Sequence, residues 1–217
     1  MLNPEATVSR ATFQRMPIYL SVLKKLKKEG RDFVSSVALA DTVLINASVV
    51  KKDLSYVISN EGKPKIGYSV DELIDNIEEF LGYNNAKDAV LIGAGKLGQA
   101  LLGYQGFVNY GLNIIAGFDV DDSVIGKEIN GVKILPTGKL EGAIEKLEIK
   151  LAILTTPQEY AQTMTDILVK AGIRAIWNFT PSHISVPDNV AVRNENMASS
   201  LAILSSQLKE ILKKEQM

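Results

Sequence analysis

At 217 residues, 46% of them hydrophobic and 23% charged, the chain is long enough for one large domain or two small ones and has an ordinary globular composition. It has no cysteine, which excludes disulfides, thiolate metal sites and thiol-based redox sensing, and its formal net charge of −1 says nothing either way about nucleic acid. Met1-Leu-Asn-Pro-Glu-Ala-Thr7 lacks a basic-then-apolar signal pattern, and no apolar run nears the ~20 residues of a membrane span, so a soluble, cytoplasmic protein is expected.

Helix is expected from about Glu5 to Arg15, with a new helix opening at Pro17, since proline suits a first turn. Ile18, Leu20, Val22, Leu23 and Leu26 then form its apolar side, Lys24, Lys25, Lys27 and Lys28 its polar side, and Gly30 its C′ stop. A second helix is expected from Ser35 or Ser36 through Val43. After a turn around Asn46, Ser48 is expected to cap a third, from Val49 to Tyr56.

Two short helices across a tight turn fit a helix-turn-helix, with Ser48, Lys51, Lys52, Ser55 and Tyr56 as candidate DNA contacts. The turn-rich Ser59-Asn-Glu-Gly-Lys-Pro-Lys-Ile-Gly67 follows, and it suits a two-stranded wing carrying Lys63 and Lys65. Residues 1–70 hold eleven Lys and Arg against six Asp and Glu, while 71–85 hold five acids and no base. That split places a positive face on the helix-turn-helix. A solvated helical bundle with surface lysines fits the charge alone; the capped helices and the basic wing favour DNA. A helix from Asp71 to Leu81 closes a first domain, residues 1–83, with Asn84-Asn85 as linker.

The next stretch, Asp88-Ala-Val-Leu-Ile-Gly-Ala-Gly-Lys-Leu-Gly98, reads as strand, glycine turn and helix. Gly93 suits the tight turn, Gly95 a close approach of backbone to pyrophosphate, and Gly98 close packing of helix on strand. The N–H groups from Ala94 through Lys96 and Leu97 then open a helix N-terminus toward the phosphates. GxGxxG alone is a weak signal. Here a strand precedes it, a helix follows it, and the next strand, Ile114 to Asp119, ends in an acid at the expected spacing. Asp119 can accept from both hydroxyls of an adenine ribose and would repel a 2′-phosphate. Asp121 and Asp122 add to the repulsion and no arginine stands nearby, so NAD or NADH is expected rather than NADP.

Beyond it the chain alternates as βαβ units do, with a helix from Lys96 to Val108 and short strands at Lys133 to Leu135 and Val190 to Val192. Strands are also expected at Leu151 to Thr155 and Arg174 to Phe179, and helices at Gly138 to Leu147 and Pro157 to Ala171. The dinucleotide domain spans 84–194. A final helix, about Asn196 to Lys214 within residues 195–217, carries an apolar stripe at Leu201, Leu204, Leu208 and Ile211 that must bury against its own domain or a partner.

No catalytic set emerges. The one histidine, His183, lies in a proline-bounded loop, no Cys/His cluster suggests a metal, and Tyr104 and Tyr110 lack a lysine partner at short-chain-dehydrogenase spacing.

This order of parts resembles the Rex family of redox-sensing transcriptional repressors. The resemblance rests on Arg15-Met-Pro-Ile-Tyr-Leu20, Val50-Lys-Lys-Asp-Leu-Ser-Tyr56, Ile66-Gly-Tyr68, Gly93-Ala-Gly-Lys-Leu-Gly98, Phe118-Asp119, Asn178-Phe-Thr-Pro181 and Val186-Pro187. It implies an α/β chain with an N-terminal winged helix-turn-helix, a Rossmann-type parallel sheet and a C-terminal helix swapped between the subunits of a homodimer. It further implies binding to palindromic operator DNA, sensing of the NADH/NAD balance, and release of DNA when NADH binds. Lys51, Lys52 and Tyr56 would then lie on the recognition helix, Lys63 and Lys65 on the wing, and Tyr104 near the nicotinamide. The chain departs from the family at Lys51, where arginine is usual, and at Asn196-Met197, where an acid and a large apolar or aromatic residue are typical. The other class that fits the residues is an NAD- or CoA-binding enzyme subunit of the acyl-CoA synthetase type.

Overall fold

The computed structural model of the protein describes residues 8–58, 66–83 and 88–215. Contacts divide the chain into two compact units, Met1–Asn85 and Ala86–Met217.

The first unit opens on α1 (Arg10–Lys28), whose cap Ser9 accepts from the Thr12 N–H. Pro17 lies inside this helix and begins no new one, which corrects the expected break. An interior proline removes a backbone hydrogen bond and costs about 3 kcal/mol. The helix continues because both flanks of Pro17 are held. Met16, Tyr19, Leu20 and Leu23 are fully buried, and Arg15 and Tyr19 both bond to Asp53.

After β1 (Phe33–Val34), Ser35 caps α2 (Ser36–Val43), and Leu44 turns the chain in the left-handed region at φ 55°. Then comes α3 (Ala47–Leu54), capped by Asn46, which accepts from the Ser48 N–H at 2.9 Å. Ser48, expected as the cap, stands in the first turn, because the asparagine of the turn reaches the free N–H two residues on. The helix ends at Leu54, so Tyr56 lies beyond it and not on it. β2 (Tyr68–Ser69) pairs antiparallel with β1. Ser69 caps α4 (Val70–Phe80), which packs on α1 with Phe13 and Phe80 stacked 4.8 Å apart. The expected wing, with Lys63 and Lys65, and the expected linker Asn84-Asn85 fall outside the described residues.

The second unit is built on β3 (Asp88–Ile92), β4 (Asn113–Asp119), β5 (Glu128–Ile129), β6 (Val132–Pro136), β7 (Leu151–Leu154), β8 (Ala175–Asn178) and β9 (Ala191–Asn194). Their order is β5-β6-β4-β3-β7-β8-β9, parallel except for β5 at one edge. The helices are α5 (Lys96–Leu102), α6 (Gly106–Asn109), α7 (Leu140–Leu147), α8 (Ala161–Lys170) and α9 (Met197–Glu215). Alternate residues of β3 feed two cores, as a sheet covered on both faces requires. Val90 and Ile92 join Phe118, Ile144 and Leu168, while Leu91 joins Leu102, Phe107, Ile134 and Ile153.

Two features depart from expectation here. The helix expected from Lys96 to Val108 is broken into α5 and α6 around Gly103 and Tyr104. The Tyr104 ring folds over Gly106 into the space a Cβ there would need. An extra edge strand, β5, turns into β6 through Asn130-Gly131, both in the left-handed region, the geometry of a two-residue hairpin. On α9 no residue is buried.

Candidate functional site

In the second unit the strand order reverses direction between β3 and β7, the point where open α/β sheets hold ligands beyond their carboxyl ends. Gly93, just past β3, has φ +97°, and a Cβ there would lie 2.8 Å from the Thr155 carbonyl carbon and oxygen. Only glycine fits. A Cβ on Gly98 would run into the Gly93 carbonyl oxygen and lie 3.1 Å from Leu91 Cδ2, so α5 sits directly on the turn. Gly95 is the opposite case. Nothing lies within 4 Å of its Cβ position, leaving open backbone at the start of α5, where Lys96 and Leu97 follow.

Asp119 closes the far side. Its Oδ2 accepts from the Ala94 N–H at 2.6 Å, and its Oδ1 accepts from the N–H groups of Val120 and Asp121 at 2.7 and 2.9 Å. The carboxylate is thereby fixed in orientation. A carboxylate has about four lone-pair positions, so one remains for a ligand hydroxyl after these three bonds. The Ala94 N–H is committed to Asp119, which leaves phosphate contacts to the amides that follow it.

Sequence reading missed the other wall. Thr155 donates through Oγ1 to the Gly93 carbonyl at 2.7 Å. Thr156 Oγ1 is the one buried side-chain oxygen or nitrogen without a partner among the described residues. The signal available for both was a Thr-Thr-Pro run directly after a strand. At the end of β8 the fully buried Asn178 donates to the Ser182 carbonyl and Asn194 Oδ1, both at 2.8 Å, and accepts from Thr180 Oγ1 at 2.7 Å. Tyr104 stands in the break between α5 and α6, more than half exposed and edge-on to Phe107 at 4.8 Å. Asn196 caps α9 by accepting from the Ser199 N–H at 3.0 Å, and Met197 is exposed.

In the first unit, α3 is divided cleanly. Val50, Asp53 and Leu54 are buried, as is Val57 past the helix end, whereas Ser48, Lys51, Lys52 and the C-cap residue Ser55 are exposed at the i, i+3, i+4, i+7 spacing of a single face. The Ser48 hydroxyl donates to Asn46 Oδ1 and the Ser55 hydroxyl to the Lys52 carbonyl. Lys24 and Lys27, by contrast, pair with Glu78 and Asp71 of α4 at 2.6 and 2.7 Å. Lys24 and Lys27 of α1 are therefore met by acids of α4.

Asp53 fastens α3 to α1. It accepts from Arg15 Nε at 2.6 Å and Nη2 at 2.8 Å, from Tyr19 Oη at 2.8 Å and from Thr12 Oγ1 at 3.0 Å. Burial pushes its carboxyl up, but hydrogen bonds from Arg15, Tyr19 and Thr12 outweigh that and hold it below the usual value. Burial and the Asp53 hydrogen bond push the Tyr19 phenol up to about 12, and the same carboxylate raises Arg15. Both neighbours are therefore fully protonated at neutral pH.

The glycine turn and Asp119 thus meet in one place, and the exposed face of α3 gathers all the candidate DNA contacts except Tyr56, which is half-buried past the helix, and the two wing lysines. His183 is exposed on its loop, and among the described residues no group of His, Asp and Glu has a metal-holding arrangement.

A helix-turn-helix unit and a dinucleotide-type parallel sheet on one chain define a class of transcription regulators. Residues 84–182 match the family model described as "CoA binding domain", and residues 7–55 match "Putative DNA-binding protein N-terminus". The "Redox-sensing transcriptional repressor Rex" of Bacteroides thetaiotaomicron is 41% identical over 93% of this chain and 91% of its own. A crystal structure of RSP with β-NAD+ and operator DNA is 34% identical, covers 98% of each chain and superposes with a TM-score of 0.84. RSP with β-NADH covers 98% of this chain and 100% of its own, with a TM-score of 0.80. The chain belongs to the Rex family of redox-sensing transcriptional repressors, and it is not an enzyme.

Proposed function

We propose that this chain represses transcription in the cytoplasm as a homodimer on palindromic operator DNA and lets go when NADH binds. The reading rests on one observation above all, the fixed Asp119 carboxylate beside an open Gly95. The residues fit the cofactor. Gly95, Lys96, Leu97 and Gly98 offer backbone to a pyrophosphate, Asp119 accepts from an adenine ribose hydroxyl, and the unpartnered Thr156 hydroxyl gives the ligand a further buried partner. Bound NAD or NADH supplies no chemistry here; its two redox states are the signal.

Lys51, Lys52, Ser48 and Ser55 face the major groove and Tyr56 its edge, with Lys63 and Lys65 on the wing against the backbone. Residues 1–83 form the winged DNA-binding domain, 84–194 the cofactor domain, and 195–217 the dimerising helix. The exposed stripe Leu201, Leu204, Leu208 and Ile211 supports a helix that buries in the partner subunit. Release then follows from linkage: NADH binds the free dimer more tightly than the operator-bound dimer, and DNA weakens NADH by the same factor. Sedimentation of the chain with a labelled duplex pool, with and without NADH, tests the whole reading. A monomer that ignores DNA at low salt would refute it.

A further inference from the structure

The chain's single tryptophan, Trp177, lies where two otherwise separate features meet. On one side it continues an aromatic row that begins at the exposed Tyr104. Tyr104 and Phe107 are 4.8 Å apart, Phe107 and Trp177 5.5 Å, and Trp177 and Phe179 5.0 Å. On the other side its indole N–H donates to Glu195 Oε1 at 3.1 Å, and Arg193 Nε donates to the same oxygen at 3.1 Å.

Glu195 stands at the root of α9. Its own N–H donates to the Asn178 carbonyl at 2.8 Å, and the next residue, Asn196, caps the helix. That backbone bond is the last of a row along the carboxyl edge of the sheet. Gly93 N–H bonds to Phe118 O, Thr155 to Ile92, Phe179 to Leu154, and Glu195 to Asn178, at 2.8 to 2.9 Å throughout. No residue of α9 is buried, so its direction is set at this root. The glycine turn at one end of the edge and α9 at the other are thus joined by backbone, and the Trp177–Glu195 bond adds the only side-chain bridge from the aromatic row to the root that the described residues provide.

We infer that Glu195 is a positioning residue, which through Trp177 and Arg193 makes the direction of α9 depend on the state of the aromatic row under Tyr104. The inference rests on the reading that Tyr104 faces the nicotinamide and that α9 packs into a partner. When the ligand moves the Tyr104 ring, Phe107 and Trp177 must follow because packed rings shift together. The indole N–H then carries the shift to Glu195, and with it to the cap of α9. Arg193 donates to the same Oε1 and so helps keep that oxygen beside the indole N–H. This is a contiguous chain of packed and hydrogen-bonded groups, whose coupling has to be measured directly.

The test uses the full chain and four variants. Trp177→Phe keeps the ring and removes the donor. Glu195→Ala removes the acceptor, Glu195→Gln keeps an acceptor oxygen, and Arg193→Ala removes the outer hold. Calorimetry gives NADH affinity without DNA, and anisotropy gives operator affinity without cofactor and at saturating NADH. In the parent, NADH is expected to weaken operator binding about fivefold or more, within the usual range of coupling between sites. Trp177→Phe and Glu195→Ala should keep both separate affinities within about twofold while bringing the weakening to within about twofold of none. Glu195→Gln should restore most of it, and Arg193→Ala should fall between. A lost hydrogen bond that mattered only for folding would lower thermal stability and leave the weakening intact, which would overturn the proposal. Equal coupling in the parent and all variants would do the same while leaving the functional reading in place. A parent whose operator affinity ignores NADH would overturn both.

Discussion

The backbone N–H of Ala94 donates to Oδ2 of Asp119 at 2.6 Å, tying the glycine turn after β3 to the acid that ends β4. Two motifs separated by a helix in sequence are therefore one mechanical unit. Asp119→Ala should both remove a ribose contact and loosen the turn, so NADH is expected to weaken by about 1.5–3 kcal/mol, the range for hydrogen bonds to charged groups. Asp119→Asn keeps an acceptor for Ala94 and lifts the repulsion of a 2′-phosphate, so it should gain relatively on NADPH. Titration calorimetry with both cofactors checks this, and an unchanged NADH affinity in Asp119→Ala would remove Asp119 from the site.

Lys52 precedes the buried Asp53 on α3 and is itself exposed. If it reads a base, Lys52→Ala costs about 1–3 kcal/mol and relaxes preference at one position of each half-site. If it meets only phosphate, affinity falls evenly across sequences and the salt dependence becomes shallower. Binding to a randomised operator library at several salt concentrations separates the two. No change in either property would take Lys52 out of the interface.

The network around Asp53 makes the stability of the first unit depend on pH in a defined direction. The folded-state pKa of Asp53 is lowered, so its contribution is present above the unfolded value of about 3.9 and is lost as pH falls through the folded one. Tyr19 behaves oppositely. Its folded pKa is raised to about 12, so its contribution is complete below an unfolded value of about 10 and is lost as pH rises through the folded value. Asp53→Asn leaves Arg15 and Tyr19 without their carboxylate and should cost about 1–3 kcal/mol, the range for leaving hydrogen-bonding groups in a buried site poorly paired. Hydrogen exchange of the α3 amides between acid and neutral pH reads this locally. An acid loss of protection in Asp53→Asn equal to that of the parent would contradict it.

Much of this was legible in the sequence, because short-range chemistry fixed it. The three glycines announce a turn, an open stretch and a close packing, and those are the geometries found at Gly93, Gly95 and Gly98. Ser35 is one of two expected starts of the second helix, and it caps it. What could not be read depends on long-range packing. Pro17 reads as a helix start, and the helix runs through it because the residues on both flanks are buried and Arg15 and Tyr19 bond to Asp53, far on in sequence. The two faces of β4 exchange at a bulge, where Ala89 pairs with Ile114 but Val90 with Ala116. Period-two counting therefore misassigns one end of that strand. Asn130-Gly131 is a hairpin signal, but the strand before it has only two residues, too short to show an alternating pattern in sequence.

Asn196 occupies a position where the family typically carries an acid. It caps α9 through Oδ1, a role aspartate fills equally well, so Asn196→Asp changes charge with little effect on the helix. A neutral side chain can offer a cation only an ordinary hydrogen bond, and Met197 lacks a flat face for stacking on a nicotinamide. The parent is therefore expected to separate NADH from NAD poorly and to release DNA incompletely, and Asn196→Asp to sharpen both. Full release of the parent by NADH at levels well below a fixed excess of NAD would show that the substitution is neutral.

The central claim is that one chain joins operator binding to the reduced cofactor. Operator affinity of the full-length protein, measured by anisotropy over a range of NADH and separately of NAD at constant salt, tests it most directly. Saturating NADH is expected to weaken operator binding, and NAD to weaken it less. An operator affinity that stays constant from zero to saturating NADH, in a protein shown by calorimetry to bind NADH, would contradict it.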